Sequence, residues 1–297
     1  MPLTNSVLQY WDQQHKVFAE SLEILRQRPS KIATHDLRVT IKKTRSFLKL
    51  RQELTGEKWR EEFEQTKKLY LTVGRFRDTG MSRLLILKYQ RNENIIVPSF
   101  KKEIGSLCSI TKRWLKHSVT DYDLEKIEAL FTAVHTSFSG IPDEEMETKI
   151  NNLIKNTFKK VRGLSKHFRK NAHIIRKLLK DVYYWLKAWN PNPFFNATGM
   201  KKFKRALDEL GFWQDRLEFE NRLNHFRKEW LVKGTDEYTA ARKLEIVIAK
   251  NRKELIDEAE KKINALITKK KGQFQKPKFA GKTERRELNL SEGKENS

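Results

Sequence analysis

The stretch THDLRVTIKKTRSFLKL, residues 34–50, places a histidine and four cations on a single side of a predicted helix. At about 100° per residue their positions share an arc of roughly 80°, and Lys31 joins them one helical turn earlier. Asp36 is the one acid in the stretch. For one such helix taken alone, an ordinary solvated face is the simpler interpretation. Solvated faces usually mix charges of both signs, because like charges at this spacing repel one another, and this face does not mix them, so a surface that faces an anion is the alternative. We term these positions the first basic stripe: Lys31, His35, Arg38, Lys42, Arg45 and Lys49.

Apolar residues border the first basic stripe on both sides. Leu37, Ile41 and Leu48 lie on one flank, and Val39 and Leu50 lie on the other. Both borders therefore have surface that can pack against neighbouring helices. We expect the stripe to line a groove between helices and not to project freely into solvent.

The composition of the whole chain favours an all-α protein. Of its 297 residues 38% are apolar, and only 12 Gly and 7 Pro interrupt the sequence, as in proteins built from long amphipathic helices. The formal net charge of +24 predicts an acidic partner, namely nucleic acid, an anionic membrane surface or a phosphate polymer. The single Cys108 excludes an intramolecular disulfide and a Cys-rich zinc site, and we expect it to be buried.

Neither a membrane span nor a signal peptide is predicted. No apolar run reaches about 18 residues, and the first residues, MPLTNSVLQYWDQQHK, lack a basic start followed by an apolar core. The protein is therefore expected to be soluble and cytoplasmic. Residues 269–297 contain too few apolar side chains to pack, and they are predicted to form a disordered, basic and polar tail.

Helix start and stop signals divide the rest of the chain into successive segments. Gly74 and Gly211 are expected to break helices, and Asp78 and Asp215 are expected to cap the helices they precede or to orient Arg and His side chains. The predicted helices cover about 5–27, 31–55 between Ser30 and Gly56, 57–73 and 77–92; further helices begin at Pro98, at Thr120-Asp121 and within 141–145, and a long polar helix covers about 235–267.

A second basic stripe repeats the spacing of the first. His173, Arg176 and Lys180 reproduce, 138 residues later, the spacing with which the first stripe opens. The segment VGRFRD, which ends at Asp78, has a counterpart in LGFWQD, which ends at Asp215. Eleven Lys or Arg and no acid occur from residue 148 to residue 180. Two halves of similar construction that share one polyanion site are the simplest explanation. The second basic stripe comprises Arg162, Lys166, Arg169, His173, Arg176 and Lys180.

The two stripes carry a recognisable motif. H-x-x-R-x-x-x-K-K-x-R at residues 35–45, followed by G-x-x-R-D at 74–78 and by a weaker second copy, resembles the CHAD family, the conserved histidine α-helical domain. The resemblance covers about residues 3–268. It implies an all-helical fold of two similar bundles, about 3–140 and 141–268, around a basic central channel. It also implies that the protein binds inorganic polyphosphate, with no catalytic activity, metal or cofactor. The expected location is the cytoplasm, and association with polyphosphate granules is left open.

The resemblance implies ligand contacts at matching positions in both halves, although the copies are unequal. Tyr183 stands where Arg45 would repeat, and Gln214 stands where Arg77 would repeat. Gly80 occupies a position where the family usually has a further acid. The complete predicted polyphosphate site comprises Lys31, His35, Arg38, Lys42, Lys43, Arg45, Lys49, Arg75, Arg77, Lys166, Arg169, His173, Arg176, Lys177 and Lys180.

The residues themselves leave two other functions open. A nucleic acid could stack its bases on Trp114 or on the run at 183–185, although core packing is the simpler role for these rings. An enzyme that processes phosphate chains is the other alternative. The stretch EFENR, residues 218–222, superficially matches the E-x-E-x-K strand motif of triphosphate-hydrolysing CYTH domains. We reject that match because the stretch lies in helical periodicity, where offsets of two diverge by about 200°.

The two histidines of the stripes have three possible roles. Each of His35 and His173 could contact phosphate as a cation, donate from a neutral ring, or be a packed residue that Asp78 or Asp215 orients. The sequence alone leaves all three roles open.

Overall fold

The protein is built from long helices, as its composition predicts. The computed structural model describes residues 2–268, and within that range the chain forms nine α-helices, one short 3-10 turn and no β-strand. The helices are α1 (Leu3–Gln27), α2 (Lys31–Thr55), α3 (Glu64–Glu93), α4 (Pro98–Thr120), α5 (Leu124–Ser139), α6 (Asp143–Leu164), α7 (Phe168–Ala188), α8 (Ala197–Trp230) and α9 (Asp236–Thr268), with the 3-10 turn at Ser165–His167 between α6 and α7. The predicted tail, 269–297, lies outside the described residues.

Several predicted helix boundaries are confirmed, and the local chemistry explains them. The Ser30 side chain accepts a hydrogen bond from the Ala33 amide and caps α2, the helix that carries the first basic stripe. Gly56 ends that helix with a φ of 79°, a left-handed conformation that glycine adopts without strain. Pro98 stands at the first position of α4, where its missing N–H costs no hydrogen bond.

Both predicted glycine breaks are wrong. Gly74 lies inside α3 and Gly211 lies inside α8, and each helix continues through its glycine. The predicted helices 57–73 and 77–92 are therefore one helix, and residues 57–63 precede it without joining an α-helix. A glycine costs a helix interior only about 1 kcal/mol relative to alanine, and packing on both sides of it outweighs that cost.

Three further predictions require correction, because each depends on where a helix begins, continues or is interrupted. Asp78 and Asp215 lie in the middle of α3 and α8, so neither caps a helix. α5 begins at Leu124, where Asp123 provides the cap instead of Asp121. The second basic stripe does not follow one helix face, because the turn at Ser165–His167 separates Arg162 on α6 from the residues of α7.

The helices of the two predicted halves contact one another in the same order. In the first half α1 packs on α2, α2 on α3 and α3 on α4; in the second half α6 packs on α7, α7 on α8 and α8 on α9. α5 connects the two sets and packs against α1 and α2. The internal repeat and the central channel remain predictions.

Two hydrophobic cores fill the space between the helices, and each mixes both halves. The main core joins buried residues such as Trp11 from α1 and Phe158 from α6. The second core lies around α3, α4, α8 and α9, where the rings of Tyr89 and Phe219 stack with centroids 6.1 Å apart. Since neither half has a core of its own, the halves pack as one structure.

Hydrogen bonds between distant parts of the chain reinforce this arrangement. The Trp11 indole N–H donates to the Phe131 carbonyl oxygen over 3.0 Å, and the Trp185 indole N–H donates to the Ser46 carbonyl oxygen over 3.0 Å. The second bond ties α7 to α2, the two helices that carry the basic stripes. Cys108, predicted to be buried, is only half-buried. Among residues 2–268, no helix is long and apolar enough to cross a membrane.

Candidate anion-binding site

Residues of both basic stripes line one cavity. Helices α2, α3, α7 and α8 enclose a space of about 450 Å³, which we term the basic cavity. The stripes lie 138 residues apart in sequence, and the contact between α2 and α7 brings them together. The predicted site residues that line the basic cavity are Arg38, Lys42 and Arg45 of α2, Arg77 of α3, and His173, Arg176, Lys177 and Lys180 of α7.

Four acids also line the basic cavity, but they leave most of its cations unpaired. Asp215 accepts two hydrogen bonds from Arg77, at 2.5 and 2.8 Å, and Asp181 accepts one from Lys49 at 2.5 Å. Asp78 lies 3.2 Å from the same Arg77. Glu218 accepts from the Gln214 amide. Within the described part of the chain, no ion pair engages Lys42, Arg45, Arg176 or Lys180.

Three arginines present hydrogen-bond donors that the protein does not use. The Nε atoms of Arg38, Arg45 and Arg176 are buried and have no hydrogen-bond partner in residues 2–268. Buried donors are normally satisfied, because an unpaired one costs about 1–3 kcal/mol. An anion with several acceptor oxygens would offset the positive charge that these arginines bring together.

Burial and the repulsion between neighbouring cations lower the pKa values of several basic groups of the cavity. Burial, followed by Arg38 and Lys180, lowers the pKa of Lys42 to about 5. Burial, followed by Arg176, lowers the pKa of Lys180 to about 8. Burial also lowers the pKa of Arg176. At physiological pH the free protein therefore holds Lys42 neutral, and a bound anion would favour the charged form again.

Arg77 differs from the other cations because its charge is held by the protein. Burial, the largest single influence, opposes that charge, but the hydrogen bonds and charges of Asp215 and Asp78 together outweigh burial and raise the pKa of Arg77. The bond pair joins the middle of α3 to the middle of α8. Asp78, predicted to orient Arg or His side chains, lies beside Arg77 and 3.7 Å from Arg38. Both aspartates thus position arginines of the cavity.

Gly74 and Gly211, which were predicted to break helices, face arginines of the basic cavity. A Cβ atom built on Gly74 would lie 3.8 Å from Nε of Arg38, and one built on Gly211 would lie 3.9 Å from a terminal nitrogen of Arg176. Each glycine faces the matching arginine of the stripe in its own half. A side chain longer than a methyl group at either position would extend into the space that the arginine occupies.

The two histidines lie in different surroundings. Nδ1 of His173 is 3.2 Å from the Gln214 side-chain oxygen, on the wall of the basic cavity. His35 is not among the lining residues; partial burial and nearby cations outweigh Asp36 and lower its pKa. The ring of His35 is thus neutral at physiological pH, which favours a donor role over that of a cation.

Other predicted site residues lie away from the basic cavity or are engaged elsewhere. Lys43 donates to the Gln14 side-chain oxygen at 2.6 Å, and burial lowers its pKa to about 8. The Arg75 guanidinium lies over the Trp114 ring, 5.5 Å from its centroid. Arg169 pairs with Asp257 at 2.6 Å, and Lys166 lies in the 3-10 turn. Lys31 lines a separate groove together with Phe76 and Cys108.

Sequence reasoning missed Tyr70 on the cavity wall, and it considered Tyr184 only for core packing or base stacking. Tyr70 lines the basic cavity, and the Arg38 guanidinium lies over its ring, 5.5 Å from the centroid. Tyr184 also lines the cavity and is buried. Tyr70 stands four residues before Gly74 and seven before Arg77. In a helix that continues through Gly74, the residues Tyr70, Gly74 and Arg77 fall on one helix face. The predicted break at Gly74 hid this pattern.

The structure also bears on the alternatives drawn from single motifs. EFENR lies within α8, which confirms that it is not the strand motif of a CYTH domain. Trp185 is buried and bonded to Ser46, so it packs in the core. Trp114 is exposed but is covered on one side by Arg75. No group of three potential metal-binding side chains occurs among the residues described.

Comparison with known proteins supports the fold and only the fold. No protein-family model and no curated protein matches the sequence. Among solved structures, the crystal structure of the CHAD domain from the plant Ricinus communis is similar, with a TM-score of 0.71 and 13% sequence identity. The similarity covers 89% of this chain and 92% of that chain. The chain therefore has the all-α fold of the CHAD domain, as its sequence motif predicts.

Proposed function

We propose that this protein binds inorganic polyphosphate in the basic cavity without altering it chemically. The observation that carries the proposal is the convergence of basic side chains from two helices, most of them without an ion-pair partner in residues 2–268. Arg38, Lys42 and Arg45 of α2 face Arg176 and Lys180 of α7 across one cavity. A cytoplasmic location is part of the proposal.

The chemistry of a phosphate chain matches what this cavity offers. Each phosphate unit carries negative charge and acceptor oxygens, which suit the fork of an arginine and the point charge of a lysine. The charged ends of the arginines and lysines that line the cavity would bond to those oxygens. Along α2, Arg38 and Arg45 are separated by about 10 Å at 1.5 Å per residue, so one chain could contact several cations in turn.

Nucleic acid is the weaker candidate because most of the aromatic run at 183–185, which the sequence offered for base stacking, packs in the protein interior. Tyr184 and Trp185, which the sequence offered as stacking rings, are buried. A competition experiment separates the two ligands: we expect long-chain polyphosphate to displace itself better than DNA or RNA does at matched phosphate concentration. Chain shortening during incubation with Mg²⁺ or Mn²⁺ would instead identify an enzyme.

The decisive experiment is a glutamine scan by titration calorimetry at several salt concentrations. Replacing Arg38, Lys42 and Arg45, or else Arg176 and Lys180, should weaken long-chain binding strongly, because one ligand contacts both sets. Each lost contact should make the dependence of log affinity on log salt shallower by about 0.7, since fewer counterions are released. Lys253 and Lys261, both exposed on α9, provide matched controls. If the control substitutions weaken binding as much as the cavity substitutions do, binding is diffuse attraction to a surface of net charge +24, and the proposal is refuted.

A further inference from the structure

A second cavity opens directly beside the basic cavity. It also measures about 450 Å³, within the range of small-molecule sites, and we term it the side pocket. The two spaces share four lining residues: Lys42, Arg45, Tyr70 and Leu71. The two spaces therefore adjoin, and these four side chains stand at their border.

The side pocket has a different character from the basic cavity, because aromatic and aliphatic side chains form much of its wall. Trp59 and Phe63 meet edge to face with ring centroids 5.6 Å apart, and Phe63 is buried. Trp59 is only half-buried, so part of its ring faces the pocket. Ile41 and Tyr70 complete this apolar surface.

The segment that carries Trp59 is held firmly in place. Residues 57–63 connect α2 to α3, and the buried Arg51 pairs with Glu57 and Glu62 at the two ends of this connection. The Arg51–Glu62 bond measures 2.9 Å. The aromatic wall is therefore a fixed feature of the pocket, which reduces the entropy that a ligand would lose by ordering it.

Basic residues line the side pocket both at its border with the basic cavity and beside Trp59, where Arg60 contributes to the wall. Lys42 and Arg45 stand at the shared border. Glu64 is the one acid among the lining residues, and it pairs with Lys67 at 3.0 Å. The pocket thus suits a flat apolar group that is attached to an anion.

We propose that the two cavities together bind nucleoside polyphosphates, with the base against Trp59 in the side pocket and the phosphates among the arginines of the basic cavity. This inference rests on the proposed function, because it requires that the basic cavity hold linked phosphates. Inorganic polyphosphate has no apolar part and makes no use of the aromatic wall. A purine or pyrimidine would stack on it, and such stacking is tolerant of base identity.

The test compares a nucleoside triphosphate with inorganic tripolyphosphate by calorimetry in the absence of divalent ions. Both ligands present three linked phosphates, but the nucleotide has one ionisable group fewer, so charge alone favours tripolyphosphate. If the base is bound, we expect the nucleotide to bind more tightly by about five- to a hundredfold. Trp59→Ala should abolish this advantage and leave tripolyphosphate binding unchanged, whereas Arg176→Gln should weaken both ligands.

Tryptophan emission gives a second readout that does not depend on a destabilising change. The nucleotide, but not tripolyphosphate, should quench Trp59; Trp59→Phe should lose this quenching and keep most of the affinity. Trp230→Phe is the matched control, because Trp230 is 72% exposed at the end of α8 and should leave the quenching intact. Equal or weaker binding of the nucleotide, or quenching that persists in Trp59→Phe, would overturn this inference alone. Failure of tripolyphosphate and polyphosphate to bind would instead refute the proposed function.

Discussion

Lys42 is the side chain whose charge responds most to an anion in the basic cavity. Its pKa of about 5 in the free protein results first from burial and then from Arg38 and Lys180. A bound polyphosphate would oppose those cations and raise the pKa toward the ordinary value of a lysine, about 10.4. Lys42 would then change from neutral to charged when the ligand binds at neutral pH.

We predict that polyphosphate binding takes up protons. Between pH 5 and the pKa of Lys42 in the complex, the complex holds the proton that the free protein lacks, so affinity should fall as pH rises. Near pH 8 and above, Lys180 should add to the effect, because its pKa in the free protein is about 8. Calorimetry at pH 7 in buffers with different ionisation enthalpies should show an uptake of up to about one proton.

Substitution of Lys42 provides the control for this prediction. Lys42→Met should lose the proton uptake at pH 7, whereas Lys253→Met, on the exposed side of α9, should keep it. Proton uptake that is identical in all three proteins would assign the effect to another group or to the ligand itself.

At the residue scale the sequence predicted which basic residues share a helix face. It predicted less well which residues surround each of them. The spacing of Arg38, Lys42 and Arg45 placed them on one face, because helical periodicity depends only on local geometry. Lys43 was wrongly grouped with the cavity-facing residues by the motif, since its side chain turns toward Gln14 on α1. Which neighbour a side chain meets depends on how helices pack, and no local pattern encodes that.

At the scale of helices, the Arg77–Asp215 bond pair is the polar link between α3 and α8. The Asp215 side chain is 10% exposed, and its removal would leave the partly buried Arg77 with Asp78, at 3.2 Å, as its one remaining acid among the described residues. We predict that Asp215→Asn lowers the free energy of unfolding by about 2–4 kcal/mol, because a buried charge that loses its closest partner is costly. The same change removes a negative charge from the basic cavity, so polyphosphate affinity should rise.

Chemical denaturation and calorimetry on the same variant measure these opposite effects. Asp257→Asn is the matched control, because Asp257 pairs with Arg169 at the surface, where the side chains are 45% and 60% exposed. It should change stability by no more than about 1 kcal/mol and leave affinity unaltered. An Asp215→Asn protein as stable as the control would show that the bond pair does not hold α3 to α8.

The helices themselves were predicted well where the signal was local. Ser30, Gly56 and Pro98 act through their own backbone or side-chain chemistry, and each marks a true boundary. Gly74 and Gly211 misled the prediction because a glycine serves two purposes: it weakens a helix, and it makes room for a neighbour. Only the structure shows that the neighbour in each case is an arginine of the basic cavity.

At the scale of the whole molecule, the basic residues outside the cavity should contribute a different kind of binding. Residues 269–297 contain nine Lys or Arg and four Asp or Glu. We predict that a protein ending at Thr268 keeps its melting temperature and its dependence on Lys42 and Arg176. Its affinity for polyphosphate should fall modestly at low salt and equal that of the full chain at high salt, because exposed charges are screened. Loss of all binding in the truncated protein would place the site in the tail.

The approach of α2 to α7 is the feature of the site that the sequence could suggest but not establish. The repeated spacing of His, Arg and Lys predicted that two stripes share a ligand, and both stripes do contribute to the basic cavity. The turn at Ser165–His167 nevertheless leaves Lys166 and Arg169 outside it. That break lies in a stretch without Gly or Pro apart from Gly163, so it carries little local signal.

The long sequence separation between partners also has a consequence for how the protein is made. Arg77 and Asp215 are 138 residues apart, and Arg38 precedes both. At a synthesis rate of about 5–20 residues per second, Asp215 emerges roughly 10–35 s after Arg38. During that interval α2 is a basic helix without the helices that enclose it, and it would attract nucleic acid as well as polyphosphate. If the finished protein binds polyphosphate as proposed, the unfinished chain would be the less selective of the two, and selectivity would be acquired only when α8 joins the fold.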